Sequence, residues 1–439
     1  MSTIIQSLSF LLFVGGCSYV AFRGFRSVYR NIMLGRKEDF TDQPGERLKT
    51  VLLVALGQKK MFKRPVAALL HLVIYVSFVI TQIELIEIFI DGVFGTHRFI
   101  YHAWENIPVL RGLYVLAINM IEVLSVLTFA VTLAFLYRRD LLKLPRFNKP
   151  EMKGWPNLDA HLILVGEMLL ITNIFIMNSF DMAAAGGKYG FWLSGILAHN
   201  WEGMNEGLLE VFEKIGWWGH LAVVMGFLMY LAYSKHLHII LAFFNTYYSR
   251  LTPKGYLPNM PEVTREVKLM LDPNAAVEPA SPDAPTKFGA KDIFDLSWKN
   301  LLDAYTCTEC GRCTAQCPAN LTGKLLSPRK IMMDVRDRME EVGGLMDANK
   351  GIWQDDGKTL IENGYISVEE LRACTTCNAC VEECPVNISP LDIIMQLRRS
   401  LIMEDSNSPN EWNGMFANLE NNGAPWQFSP QDRLNWEKE

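Results

Sequence analysis

Eight of the nine cysteines fall in two runs of identical spacing, Cys307-x2-Cys310-x2-Cys313-x3-Cys317-Pro318 and Cys374-x2-Cys377-x2-Cys380-x3-Cys384-Pro385. In such a run the first three thiolates hold one [4Fe-4S] cube and the fourth reaches across to the other. The spacing therefore predicts one cube on Cys307, Cys310, Cys313 and Cys384, and a second on Cys374, Cys377, Cys380 and Cys317. Zinc is the competing reading, but it needs four ligands per ion with a wider gap between pairs, and the Cys-Pro ending belongs to the cube. The 56 residues between Cys317 and Cys374 are too many for hairpin-borne motifs. Ser327-Pro328 and Ser389-Pro390 each read as a helix start, Ser as cap and Pro in the first turn. Together they predict a helical ferredoxin that conducts electrons, with no nucleophile and base pair and no glycine-rich nucleotide loop of its own.

Five of the eight histidines, His71, His161, His220, His236 and His238, lie in long apolar stretches. An ionisable group inside a bilayer is costly and is a functional candidate by default. On one continuous helix, the 18 residues from His220 to His238 make five turns, so both would share a face about 27 Å apart along the axis, with His236 turned away. His71 lies at a depth comparable to His238 on an antiparallel span. Two such imidazoles hold a b-type haem with both axial positions filled; a hydrogen bond between helices is the alternative. His220 faces Thr81 and Gln82 where a partner would stand, and His161 lies toward the cytoplasmic side, so the haem count stays open between one and two. Glu122 and Glu167 fall near mid-span, where carboxylates would carry protons to or from a quinone. Lys235 sits where it would pair with haem propionates, and structural pairing competes for both carboxylates.

Five elements must position these groups. The apolar stretches 4–22, 66–90, 113–136, 158–179 and 216–245 each reach the roughly 20 residues a spanning helix needs. Seventeen basic residues lie in the segments 23–64 and 137–153, against Arg98, Arg111, Lys188 and Lys214 in the alternate loops. The positive-inside rule then places the N-terminus outside and everything after residue 250 in the cytoplasm, so the chain belongs to a cytoplasmic (inner) membrane. The first stretch has no basic residue ahead of it and strong positive charge behind it, which describes a retained anchor, not a cleaved leader.

The expected organisation is all-α: a five-span bundle over 1–250, a linker over 251–290, a helical dicluster ferredoxin over 291–404 and an extended arm over 405–439. Pro253, Pro258, Pro261, Pro273, Pro279, Pro282 and Pro285 interrupt the linker, apart from a short helix around Glu262 to Leu271. Trp412, Trp426 and Trp436 make the arm a candidate dock for a partner. Across 439 residues, 50% hydrophobic and 20% charged with a net charge of -5, disorder is excluded and nothing favours nucleic acid as a partner.

The first half resembles the five-span cytochrome b subunit of respiratory nitrate reductase and its relatives, the membrane subunits of methanogen heterodisulfide reductase and of the sulfite-reductase-associated menaquinol complex. The likeness rests on topology, on Gly57-Gln58-Lys59-Lys60 ahead of the His71 helix, and on the histidines of the fifth span. It implies haem b at His71, His220 and His238; the outer histidine of the second span has no counterpart here. The second half is similar to the small helical ferredoxin subunit of heterodisulfide reductase, including Ser327-Pro328-Arg329. The resemblance implies menaquinone as substrate and, as partner, a separate cytoplasmic iron-sulfur protein with cysteine-rich CCG domains.

Two readings follow. The favoured one is a membrane electron-transfer subunit joining the quinone pool, through haem b and two cubes, to a cytoplasmic redox partner. Its rival is a haem-free membrane anchor whose ferredoxin senses redox state or organises an assembly. A quinone site aside, neither contains a complete catalytic centre.

Overall fold

A computed structural model describes residues 3–253, 255–277 and 287–438; Pro279, Pro282 and Pro285 lie outside the described residues. The fold is all-α. Among the described residues the only β pairing is two isolated bridges, Arg36 with Ser297 and Ile361 with Ile366. Five helices are long and apolar enough to cross a membrane: α1 (Thr3–Ile32), α2 (Pro65–Phe94), α3 (Pro108–Leu136), α4 (Trp155–Ala184) and α5 (Glu206–Tyr230). Proline within the first two positions starts α2, α3 and α4, where its missing N–H costs nothing. Gly216 lets α5 press onto α4, since a Cβ there would stand 2.4 Å from the Met177 nitrogen. Small residues serve this role wherever two apolar helices must close up without a hydrophobic gain.

The fifth span departs from the expected 216–245. It begins at Glu206 and breaks after Tyr230 into short turns over Leu231–Tyr233 and Lys235–Leu237, before α6 (His238–Tyr247). Ser234 takes an extended backbone and its side chain accepts from the His236 amide. Asp159 of α4 accepts from the Lys235 amide at 3.0 Å and from the Tyr230 hydroxyl. These side chains satisfy the donors that the break frees, and no apolar window displays them. His220 and His238 therefore stand on separate helices, and the shared-face geometry does not apply.

The ferredoxin half is built on α7 (Trp298–Thr306), α8 (Pro328–Ala348) and α9 (Pro390–Met403). Ser327 and Ser389 cap α8 and α9 through the amides of Lys330 and Asp392, as the Ser-Pro pairs predict. A further helix, α10 (Asn410–Asn422), occupies the segment expected to be extended. Its asparagines lower helix propensity and mask Trp412, Met415, Phe416 and Leu419, which recur at helical spacing.

One end of the bundle shares a core with the ferredoxin, apart from two clusters within the bundle itself. A 30-residue α1 is about 45 Å long, against a hydrocarbon layer of roughly 30 Å. Its last turns leave the apolar zone, and Val28 and Ile32 pack with Leu301, Ile331, Val335 and Leu397. Asn31 donates to the Tyr305 hydroxyl at 2.9 Å, and Arg36 exchanges backbone hydrogen bonds with Leu296 and Trp298. The wholly buried Arg329 donates to the Arg146 carbonyl at 2.6 Å and to Glu151 at 2.8 Å, so the second basic loop is latched to α8.

At the opposite end of the bundle, Arg98 is buried among acids and aromatic rings. It donates to Asp181 at 2.8 Å and to Glu84 at 3.3 Å, lies over Phe191, and stands 3.6 Å from Glu87. A residue counted as an ordinary loop cation thus organises four carboxylates, because Asp91 accepts from its backbone amide.

Removing one partner of a buried ion pair strands the other charge, at about 3 to 5 kcal/mol. Arg329→Leu should lower the unfolding midpoint of the solubilised protein accordingly. Arg329→Leu combined with Glu151→Leu should recover much of the loss. An unchanged midpoint in the single variant would show that the latch contributes nothing.

Candidate functional site

The two cysteine loops have one backbone. Glu309 and Gly311 take positive φ in the first, and Thr376 and Asn378, their counterparts, do so in the second. Glycine and asparagine tolerate this region best, which accounts for two of the four. The turns direct amides at sulfur: Thr376 donates to the Cys374 Sγ at 3.4 Å, and Ile388 to the Cys384 Sγ at 3.3 Å. Hydrogen bonds of this kind tune cluster potentials.

The thiols group across the motifs. Cys313 lies in the field of Cys310, Cys307 and Cys384, and more weakly of Cys380, and Cys384 in that of Cys310. Cys380 lies in the field of Cys374, Cys317 and Cys377. Thiols are the donors that iron-sulfur cubes take, so the residue types fit the group. Burial pushes the Cys307 and Cys380 thiols up to about 12 and Cys384 up to about 11. Without iron they keep their protons at neutral pH, and metal binding must displace them. Cys310 and Cys313 are half-buried, whereas Cys377 is open to solvent.

The first foursome faces the bundle. Lys60 donates to the Val381 carbonyl and to Asn387, both at 3.0 Å. Lys63 pairs with Glu382, and Arg64 with Glu383 at 3.2 Å. Lys235 pairs with Glu309, between the first two cysteines, and also donates to the Pro156 carbonyl at 2.7 Å. Arg336 meets the other oxygen of Glu309 at 2.7 Å. Burial opposes the Glu309 charge, but Arg336 and Lys235 outweigh it and hold the carboxyl below its ordinary range. The sequence alone suggests haem propionates as the partner of Lys235, whereas its partner is a carboxylate of the cluster loop. Glu309 carries no signal along the chain, because its partners lie 74 and 27 residues away.

The histidines divide by what holds their Nδ1. In His71 it lies 3.1 Å from the Gln58 Oε1, in His238 2.9 Å from the Lys235 carbonyl, and in His220 3.2 Å from the Leu170 carbonyl. An oxygen at Nδ1 fixes the tautomer that leaves the Nε2 lone pair for a metal, as in metal-ligating histidines. His71 and His238 lie within each other's electrostatic reach, with His236 close by at 6.0 Å between rings. Their residue type is one that holds haem iron. His161 has both nitrogens engaged, Nδ1 with the Asn157 carbonyl and Nε2 with Asp140 at 3.0 Å, which leaves none for iron. Gln58 was visible only as part of a motif. Glu122 accepts from the amides of Leu193 and Ser194 at 2.8 and 3.1 Å, so it caps the short helix Leu193–Ala198. Glu167 lies midway along α4, half-buried.

Residues 299–386 match the model of the 4Fe-4S dicluster domain. The chain is similar to the probable iron-sulfur-binding oxidoreductase FadF of Bacillus subtilis, 27% identical over 99% of this chain and 61% of the relative. It is also similar to the EtfAB:quinone oxidoreductase of Syntrophomonas wolfei, 23% identical over 90% of this chain and 54% of the relative. A third relative, one of the proteins of a CoB-CoM heterodisulfide reductase of Methanosarcina acetivorans, is 33% identical over 26% of this chain and 56% of the relative. The chain spans 61% and 54% of the lengths of the first two. No solved structure matches. Five helices long and apolar enough to cross a membrane are thus joined, in one chain, to an iron-sulfur dicluster domain.

A Cβ at Gly311, where φ is +70°, would stand 2.5 Å from the Arg329 guanidinium and 3.3 Å from the Arg146 Cβ. Gly311→Val should therefore lose about half of the iron-sulfur absorbance of the purified protein, one cluster of two. Asn378→Gly should retain all of it. Full absorbance in Gly311→Val would show that the loop does not need this backbone.

Proposed function

We propose that this chain is the membrane subunit of a quinone-linked oxidoreductase, joining a quinone pool, most naturally menaquinone, to a soluble redox partner through haem b and two [4Fe-4S] clusters. One observation carries the reading: a single loop, residues 58–64, joins the His71 helix to the membrane-side cysteine site. Gln58 orients His71, Lys60 and Arg64 hold the segment around Cys384, and the carbonyls of Lys60 and Met61 accept from Arg312 of the first cluster motif at 3.4 Å. Haem and clusters, when bound, carry one electron at a time.

The residues do the positioning. His71 and His238 would hold one haem through Nε2; Cys307, Cys310, Cys313 and Cys384 would hold the membrane-side cluster, and Cys374, Cys377, Cys380 and Cys317 the outward one. His220 is the remaining ligand for a second haem. The packing of both basic segments against the ferredoxin supports a cytoplasmic ferredoxin and an outside N-terminus. The name of the EtfAB:quinone oxidoreductase supports a quinone at one end and a soluble donor at the other.

A soluble partner, such as an iron-sulfur protein with CCG domains, would meet the exposed Cys377 loop and α10 beside it. Arg372 ties the two together, donating to Asn407 at 2.8 Å and lying over the Trp412 ring. Apolar side chains of α10 remain exposed, as an interface anchor requires.

Oxidised and reduced absorption spectra of the purified protein test the reading. About eight irons per chain and a b-type band partly reduced by menaquinol are expected. His71→Ala and His238→Ala should each abolish the inner haem, His161→Ala should leave it intact, and His220→Ala should halve the haem content only if a second haem is bound. Eight irons without haem would replace this reading with the haem-free anchor.

A further inference from the structure

Positive charge is spread unevenly over the two cysteine foursomes. Arg146 of the second basic loop, Arg64 and Lys60 of the first, and Arg312 and Arg336 of the ferredoxin surround Cys307, Cys310, Cys313 and Cys384. Glu383 answers Arg64 and Glu309 answers Arg336. Arg312 and Arg146 are placed differently. The hydrogen bonds of Arg312 go to backbone carbonyls. The Arg146 guanidinium lies 4.8 Å over the Phe147 ring, and its buried Nε meets no acceptor among the described residues. Arg146 packs against Gly311, next in the chain to Arg312, and Arg312 also lies within electrostatic reach of His71. At the other foursome, Arg398 stands by Cys374 and spends its donors on the carbonyls of Leu371, Arg372 and Cys374, while Cys377 meets water.

Reduction adds a negative charge to a cluster whose thiolates already make it anionic. Burial opposes that charge, and water or cations favour it. The outward site has water. The membrane-side site is more covered, with Cys307 and Cys384 buried and Cys310 and Cys313 half-buried, and must find more of its compensation in side chains.

Resting on the cluster and haem reading above, we propose that Arg146 and Arg312 form a cationic bridge between His71 and the membrane-side cluster site. The bridge keeps this buried cluster reducible, at a potential above its exposed twin, and so directs electrons from the soluble side toward the membrane. In each step one electron leaves the Cys374, Cys377, Cys380 and Cys317 site and arrives at the Cys307, Cys310, Cys313 and Cys384 site. No bond is made or broken. The donor is a soluble reduced flavin or iron-sulfur protein, and a quinone takes two successive electrons with two protons. Burial, together with neighbouring Arg64 and Arg312, pushes the Arg146 guanidinium down to about 10, so it stays charged at neutral pH.

Redox titration of the solubilised full chain, followed by electron paramagnetic resonance, tests the bridge, with Cys377→Ser marking the signal of the outward cluster. Arg146→Gln should lower the reduction equilibrium of the membrane-side cluster about tenfold, or about 59 mV for one electron, and leave the outward cluster unchanged. Arg146→Lys should restore most of the shift, which a loss of packing alone would not allow. Unchanged midpoints, or equal shifts in both clusters, overturn the proposal. A preparation with clusters but no haem defeats the histidine assignment, yet the cluster shift is still read. A preparation without clusters defeats both.

Discussion

Glu309 is a buried carboxylate in left-handed backbone between two cluster cysteines, and it is held from both halves of the protein at once. Lys235, at the broken end of the fifth span, takes one oxygen, and Arg336 of α8 takes the other. A charge in such a place is tolerated only when paired, and removing either cation strands it. The first cysteine loop therefore depends on the end of the bundle being in place. In turn, the break at Ser234 that frees Lys235 depends on Asp159 of the neighbouring span.

The same economy governs the basic loops. Their lysines and arginines carry the topological signal that keeps a segment on one side of a membrane, and here they are also the docking surface. Lys60, Lys63 and Arg64 grip the second cysteine motif, while the carbonyl of Arg146 and the carboxylate of Glu151 receive Arg329. These basic residues thus tie the His71 helix to the segment around Cys384. At the opposite end of the bundle the balance is inverted: one arginine, Arg98, gathers Glu84, Glu87 and Asp181, and that end is held together by a cation among acids.

Much of the architecture was legible along the chain. Cysteine spacing, Ser-Pro caps and apolar runs are local patterns governed by nearest neighbours, and the all-α fold with five apolar helices follows from them. The features that were not legible share a cause. The break at 231–237 relies on Asp159, more than seventy residues away; α10 is masked by asparagines; and Arg98 looked like a loop residue because its partners are scattered over two helices. Among the histidines, the carbonyl and carboxylate around His161 separate it from His71, His220 and His238, which a count of helical turns could not do.

What the sequence determined by itself is the chemistry available: eight thiols in two matched runs, imidazoles within apolar helices, and positive charge confined to alternate loops. Each is a matter of composition and short spacing, which survives any arrangement of the helices. Only the tertiary structure decided which groups are joined. It set Gln58 at His71, Lys235 on Glu309, Glu122 on a helix end, and Arg146 and Arg312 beside the first cysteine loop. These pairings link residues tens to hundreds of positions apart, and their strength comes from burial in a low-dielectric contact. That contact exists only once the ferredoxin has closed on the bundle.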